Sequence, residues 1–531
     1  MSVPRWTPAS EVTKREAYLL KRMKRTKKLF RFLREHRLEL FDDAFQAELA
    51  LMYRGTGEGR TPVPPALLAM ATLLQAYTRS SDAEAVENAT VDPRWRMVLG
   101  TLRPDEEEAP FSQGTLQRFR ERLIAHDMDR RLLERTVELA KQTRGFDFKK
   151  LPKTVRLAVD SRPLTGAGRV EDTFNLLGHA ARKLLACAAT VAGVRPQELA
   201  DAVEAPALTA TSLKRGLDID WNDPEQKAEA IKKLVEQIDR LESWVREELE
   251  GAAEKPPLSE QLATLAQLRE QDLEPDPEGG GSRIRRGVAE DRRISVEDPD
   301  MRHGRKSKSK TIKGYKSHLA SDLDTDLIVA CDVTPANRPE AEALPGLLED
   351  LACYSERNEV GALHIDRGYL GSESVHELAA KKVPIVAKPW RARSGELFDK
   401  SAFKLDLGRF TITCPAGQTE KIRLGTVARF PASACDPCPL RSQCTKAAPG
   451  RGRSVAIAAD ERLQKKLRLR LATPSGREQL RERVGIEHRL SHHVRKQGTK
   501  ARYRGRRKNV FDARRHATVV NLERLQLAEA A

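Results

Sequence analysis

Two short apolar runs, far apart in this chain, each stop on an aspartate, and together they narrow the folds open to it. Val155, Leu157 and Val159 alternate with other residues, the period of a strand, and the run ends at Asp160 before Ser161-Arg162-Pro163. Val360, Leu363 and Ile365 mark a second strand, ending on Asp366. A turn follows at Arg367-Gly368, then Tyr369, then a helix that opens at Gly371-Ser372 and runs through Val375, Leu378 and Ala379 to about Lys382. A carboxylate where a strand meets a helix is held by two rigid elements, a good mount for a metal ligand. Most Asp residues so placed nevertheless form turns or N-caps.

The neighbouring elements extend this into a sheet. Residues 311–321 and 327–334 fit a hairpin through Asp322-Leu323-Asp324-Thr325-Asp326, 339–353 reads as a helix, and 383–387 as a further strand. The order strand, insertion, strand, strand, helix, strand, helix, strand predicts a mixed α/β sheet with helices on its faces. The Asp322-x-Asp324-x-Asp326 spacing resembles a calcium loop but has Leu327 at the sixth position and Val333 at the twelfth, so a charged turn is expected.

Residues 1–150 read as an all-helical domain for DNA binding or dimerisation. The stretch 15–37 is basic and amphipathic, a second helix runs from Leu67 to Tyr77, a third starts near Ser80-Ser81-Asp82, and Ser112 caps a fourth. In that fourth helix Leu116, Phe119 and Leu123 share one face and Arg118 and Arg122 another. Residues 171–292 look like a helical insertion, with helices at 174–194 and 225–249 and a Pro-Asp-Pro-Glu-Gly-Gly-Gly-Ser linker at 275–282. The catalytic unit would then comprise 151–170 and 293–494, with a cysteine-containing insertion at 395–460 that reads as irregular.

A last long helix is expected from Ser475, with Glu478 completing a capping box, to about Val494. Leu480, Val484, Glu487, Ser491 and Val494 fall on one stripe, so Glu487 is expected to face the core, where it needs a cation or an arginine such as Arg483. Two aspartates on strands and one glutamate on a packed helix is the donor set for two hard divalent ions, Mg²⁺ or Mn²⁺, acting on a phosphodiester.

Net charge is +17, and the positive residues cluster at both ends, which points to a polyanionic partner. After the Glu487 helix, residues 495–515 hold ten basic residues against one acid, Asp512, with Tyr503 and Phe511 interleaved. Arg495, Lys496, Arg502, Arg504, Arg506, Arg507 and Lys508 are expected to contact DNA backbone, within a basic tail and closing helix at 495–531. His488, His492 and His493 are expected on the surface or facing DNA. Cys414, Cys435, Cys438 and Cys444 have the C-x20-C-x2-C-x5-C pattern of a structural Zn²⁺ knuckle or of free thiols. Cys187, Cys331 and Cys353 lie in apolar runs and are expected in the core. Residues 1–40 carry Lys and Arg throughout with no apolar segment, no run approaches a membrane span, and seven cysteines is an odd count. A cytoplasmic, nucleoid-associated protein is expected.

The chain resembles bacterial insertion-sequence transposases of the D-D-E, ribonuclease-H-like class. Val159-Asp160-Ser161 with Gly166-x-Gly168-x-Val170-x-Asp172-Thr173 is similar to the family's first-Asp motif. Arg302-His303-Gly304-Arg305-Lys306, Gly314-Tyr315-Lys316 and Val333-Thr334-Pro335-Ala336-Asn337 resemble its central strands. Asp366-Arg367-Gly368-Tyr369 resembles its second-Asp motif, Arg483-x-x-x-Glu487 its Glu motif, and 67–123 its amino-terminal domain. Where many relatives carry a Tyr before the motif Arg and a Lys after the Glu, this chain has Leu480 and Val494, with Arg495 and Lys496 adjacent.

The resemblance implies a transposase that binds the terminal repeats of its element on double-stranded DNA, as a homodimer or higher. Asp160, Asp366 and Glu487 would hold the two ions, and Arg367 and Arg483 would contact DNA. Cleavage at each end would be followed by attack of the freed 3′-hydroxyl on target DNA. No membrane and no nucleotide cofactor is implied, and no phosphate-binding lysine motif is present. Two other readings stay open: an inactive, transposase-derived DNA-binding protein, and a metal-dependent nuclease that does not join strands.

Overall fold

The computed structural model describes residues 3–23, 28–53, 61–103, 108–277, 280–305, 309–391 and 395–530. The alternating apolar residues of 155–159 and their counterparts downstream assemble one mixed sheet. Its strands are β1 (Val155–Thr165), β2 (Thr311–Asp322), β3 (Leu327–Pro335), β4 (Val360–Ile365) and β5 (Ile385–Val386). Their spatial order is β3-β2-β1-β4-β5, with a short strand, Arg302–Arg305, beside the start of β2. β2 is antiparallel to β1 and β3, while β4 runs parallel to β1 and β5.

β1 does not stop at Asp160. β2 pairs with it from Leu157↔Asp322 through Thr165↔Gly314 and carries it five residues further. Pairing with β4 ends at Val159↔Ile365, so Pro163 lies where β1 is released from that neighbour and a missing N–H is tolerated. The β2–β3 turn is a charged turn, clamped by Arg357 on Asp322 and Asp324 (2.8 and 3.2 Å).

The helical segments expected near the amino terminus are present, with Pro65–Thr78 the most buried of them. The basic stretch at 15–37 divides into Lys14–Arg22, closed by Met23, and Lys28–Leu40; its Lys24, Arg25 and Lys27 lie outside the described residues. Two of its arginines point inward. Arg34 pairs with Glu16 at 3.2 Å, and Arg37 donates to the carbonyls of Met97 and Val98.

The insertion has its own core, built from Thr173–Ala192, Pro224–Glu248 and Leu258–Asp272. Its expected linker instead turns a hairpin in which Leu273–Pro275 pairs with Ser282–Ile284; positions 278–279 lie outside the described residues. Residues 395–460 are not irregular. They form a three-stranded and a two-stranded sheet around a small core that includes Ile412, Phe430 and Val455.

The long helix expected from Ser475 is two helices, Pro474–Glu482 and Val484–Gln497, and the cap of the first is Thr473, whose hydroxyl accepts from the Gly476 N–H. The basic tail divides: Arg495, Lys500, Arg502, Arg504, Arg506 and Lys508 are exposed, and the chain directly beyond them is buried. Arg506–Glu529 is a 24-residue helix buried along 509–522. One side packs into the amino-terminal core through Phe511, Val519, Leu522 and Leu525; the other packs on the sheet through Val510, Ala513, Ala517 and Val520. Asn521 ties the two together, donating to Thr136 and to the Ile328 carbonyl while accepting from the Ile328 N–H. Among the described residues, no helix is long and apolar enough to cross a membrane.

Candidate active site

Because β1 and β4 are parallel and paired up to Val159↔Ile365, Asp160 and Asp366 leave the paired register side by side. Asp366 begins the turn Arg367–Tyr369 without using its side chain as a cap, which leaves the carboxylate available. Asp160, 18% exposed, accepts from the Ser161 N–H at 2.8 Å. Burial raises the Asp160 carboxyl above its ordinary range, Asp366 and Glu340 add to that, and Arg483 pulls against it.

Tyr369 fixes the turn after Asp366. It is buried, and its hydroxyl meets Nδ1 of His318 on β2 at 2.7 Å, while Nε2 of His318 meets the Thr334 hydroxyl at 2.9 Å. Burial pushes His318 down to about 3, so the imidazole is neutral at physiological pH. Gly166 and Gly168 let the chain leave β1 against the returning segment; a side chain there would overlap Met301 and Ser295. Neither His318 nor the nearby Glu340 stands out in the sequence, because each depends on residues that only the sheet brings close.

The helix Val484–Gln497 lies across β1. Ile486 and Leu490 enter the core beside Ala158 and Leu319, and buried Arg162 of β1 donates to Gln497 and to the Gly498 carbonyl (3.1 Å). The buried stripe is therefore Ile486, Leu490, His493 and Gln497. Glu487 is not on it: the break at Arg483 and the Arg162 anchor turn the glutamate outward, and its side chain is 55% exposed. Arg483 stands between the acids, with Nη1 3.6 Å from Asp160 and Nη2 3.3 Å from Glu487. One guanidinium thus supplies positive charge to two of the three carboxylates.

Among the described residues, no three His, Cys, Asp or Glu side chains are grouped so as to hold a metal ion. Cys414, Cys435, Cys438 and Cys444 form no disulfide, and all four line one cavity of about 340 Å³. Cys331 is buried, but Cys353 is exposed at a helix end, and Cys187 is partly buried. Arg118, Arg495 and Lys508 are exposed. Arg122 lies over the Tyr53 ring, and Arg367 donates through Nε to the Pro389 carbonyl.

Most of the other basic residues form ion pairs within the chain, and Arg502, Arg504 and Arg506 stay exposed while doing so. Lys496 pairs with Glu523, Arg502 with Asp82, Arg504 with Glu297, Arg506 with Asp332, and Arg507 with Asp127 and Asp129. The aromatic residues among them are engaged too: Arg120, Arg502 and Arg515 approach the Tyr503 ring, and Phe511 is in the core. His493 is buried and donates from Nε2 to the Ala513 carbonyl, whereas His488 is exposed.

Two segments match known families. Residues 411–526 match the model described as "Transposase DDE domain", and residues 21–122 the model described as "Transposase domain (DUF772)". The first match includes Glu487 and neither aspartate. No curated protein matches the chain, and no solved structure does. Both family matches support an insertion-sequence transposase of the DDE class.

Proposed function

We propose that this transposase is a metal-dependent DNA-cutting and joining enzyme acting at the terminal repeats of its element, with Asp160, Asp366 and Glu487 as its catalytic acids. The observation that carries the reading is the pairing of β1 with β4, which sets two aspartates abreast, together with an arginine that bridges Asp160 to the glutamate of a neighbouring helix. The strand order β3-β2-β1-β4-β5 supports a ribonuclease-H-like catalytic domain.

The donor set fits hard divalent cations: oxygen ligands whose mutual repulsion is relieved by positive charge, a role Arg483 fills in part. Mg²⁺ or Mn²⁺, two ions together, would activate the attacking oxygen and stabilise the leaving one. Asp160 and Asp366 each follow the last residue paired between β1 and β4. Glu487, on an exposed helix face, can turn from Arg483 toward them. Arg483 is then released to contact a phosphate, and Arg367, through the guanidinium nitrogens not bound to Pro389, can do the same. Arg118, Arg495 and Lys508 are exposed and suit backbone contacts to duplex DNA.

A plasmid carrying the gene with its native flanks tests this, incubated with the protein and Mg²⁺ or Mn²⁺. Breaks at defined flanking positions and joined products are expected, both lost in Asp366→Asn. Breaks without joining would leave a nuclease. Flank binding without breaks in either protein would leave a DNA-binding protein.

A further inference from the structure

Glu340 begins the helical turn Glu340–Ala343 that leads from the loop after β3 into the helix Leu344–Ala352, remote in sequence from both aspartates, yet it touches the motif of each. The Ser161 hydroxyl donates to Glu340 Oε1, and the Ser161 N–H in turn donates to Asp160. On the other side Glu340 lies against Gly368, two residues after Asp366; a methyl group at Gly368 would overlap its carboxylate. Gly368 has no positive φ, so a side chain there would meet a limit of space and not of backbone conformation, and the Glu340 carboxylate would have to move to admit it. Ser161, Glu340 and Gly368 also share the wall of one cleft, with Arg305 and Lys316 on the same wall.

We infer that Glu340 is a positioning residue, a strap that holds the Asp160 strand and the Asp366 turn at a set separation. The inference rests on the reading of those aspartates as the catalytic pair. β1 and β4 stop pairing at Val159↔Ile365, so beyond that point β2 still holds β1 but no backbone ladder ties the Asp160 strand to the Asp366 turn. The hydrogen bond to Ser161 and the packing on Gly368 supply the missing constraint. Supporting partners of this kind change metal affinity by about 10–100-fold when removed.

Mn²⁺ binding to the full chain, followed by electron paramagnetic resonance, tests this alongside flank cleavage and thermal melting. Glu340→Ala is expected to weaken Mn²⁺ binding by about 10–100-fold. Glu340→Gln, which keeps an acceptor for the Ser161 hydroxyl, should recover most of that loss. Ser161→Ala should reproduce the Glu340→Ala defect, and the double variant should be no worse than either alone. Ser161→Ala removes one oxygen, so it serves if Glu340→Ala does not fold. Glu340→Gln as damaging as Glu340→Ala, with Ser161→Ala silent, would make Glu340 a ligand in its own right and overturn the positioning role. Additive single effects, or wild-type binding in all three, would overturn it as well. Asp160→Asn is the control: if Mn²⁺ binding survives it unchanged, the catalytic reading itself has failed, independently of Glu340.

Discussion

The helices Val484–Gln497 and Arg506–Glu529 are neighbours in sequence, both rich in arginine, and they use their charges in opposite ways. The first buries one narrow stripe and turns Glu487, His488 and Arg495 outward. The second is buried on two opposite sides, so Arg514 and Arg515 enter the interior with their counter-ions. Burial works against the Arg514 charge, but Asp129, Asp350 and Asp127 together outweigh it and hold its pKa above the ordinary value. Asp512, held down to about 2 chiefly by Arg515 despite its burial, forms a similar pair. A cluster of positive residues is therefore not by itself a nucleic-acid surface. What decides is whether acidic partners await it elsewhere in the chain.

The sharpest way to break this contrast is a pair of variants. Glu487→Gln is expected to reduce flank cleavage by about 10³-fold, on the order of 4 kcal/mol of barrier, with an unchanged melting curve. Arg514→Ala should do the reverse in kind: it leaves Asp129 and Asp350 without their shared cation and lowers stability by about 3–5 kcal/mol in urea unfolding. If Arg514→Ala melts like the parent, the buried network is not what joins the helical domain to the sheet.

A weaker effect of the same origin is expected from acid. Burial holds His318 and His493 at about 3 and His364 and His516 at about 4, against an ordinary 6.5. Unfolded chains take up those protons first, so their contribution to stability is intact above about 6.5 and is lost as pH falls toward 3. Asp350, raised by burial to about 6, acts in the opposite sense, as do the raised carboxyls of Asp160, Asp322 and Asp332, whereas carboxyls held low by arginine despite burial, such as Asp82, Asp127 and Asp512, act with the histidines. Melting temperature measured from pH 7 to pH 4 should therefore fall. The smallest effect is expected on the outer face: Arg495→Ala and Lys508→Ala should each change stability by under about 0.5 kcal/mol. Each should also flatten the salt dependence of DNA binding by about one unit of slope.

Much of the sheet was legible because strand period and hairpin spacing are local. The runs at 155–159, 311–321, 327–334 and 360–365 appear as strands, and Ser81 and Ser112 cap the helices expected after them. Asp366 directly follows its strand as the pattern predicts, whereas β1 continues past Asp160 to Thr165 because β2 keeps pairing with it. Glu487 was legible as a residue but not as a direction. A stripe drawn through an unbroken helix from Ser475 put it inward, whereas the break at Arg483 and the Arg162–Gln497 anchor put it outward. The Gly-rich stretch after Pro275 was misjudged because composition does not reveal that Leu273–Pro275 has Ser282–Ile284 to pair with.

What the sequence by itself determined is four strands of the sheet and the helix caps at Ser81 and Ser112, since both follow from spacing within a few residues. The tertiary structure decided which charges face outward. Arg495 and Arg514 are the same residue type nineteen positions apart, and only the folded chain brings Asp127, Asp129 and Asp350 to the second. A guanidinium is stable in the interior only where carboxylates repay its lost hydration, and those carboxylates lie more than 160 residues away along the chain.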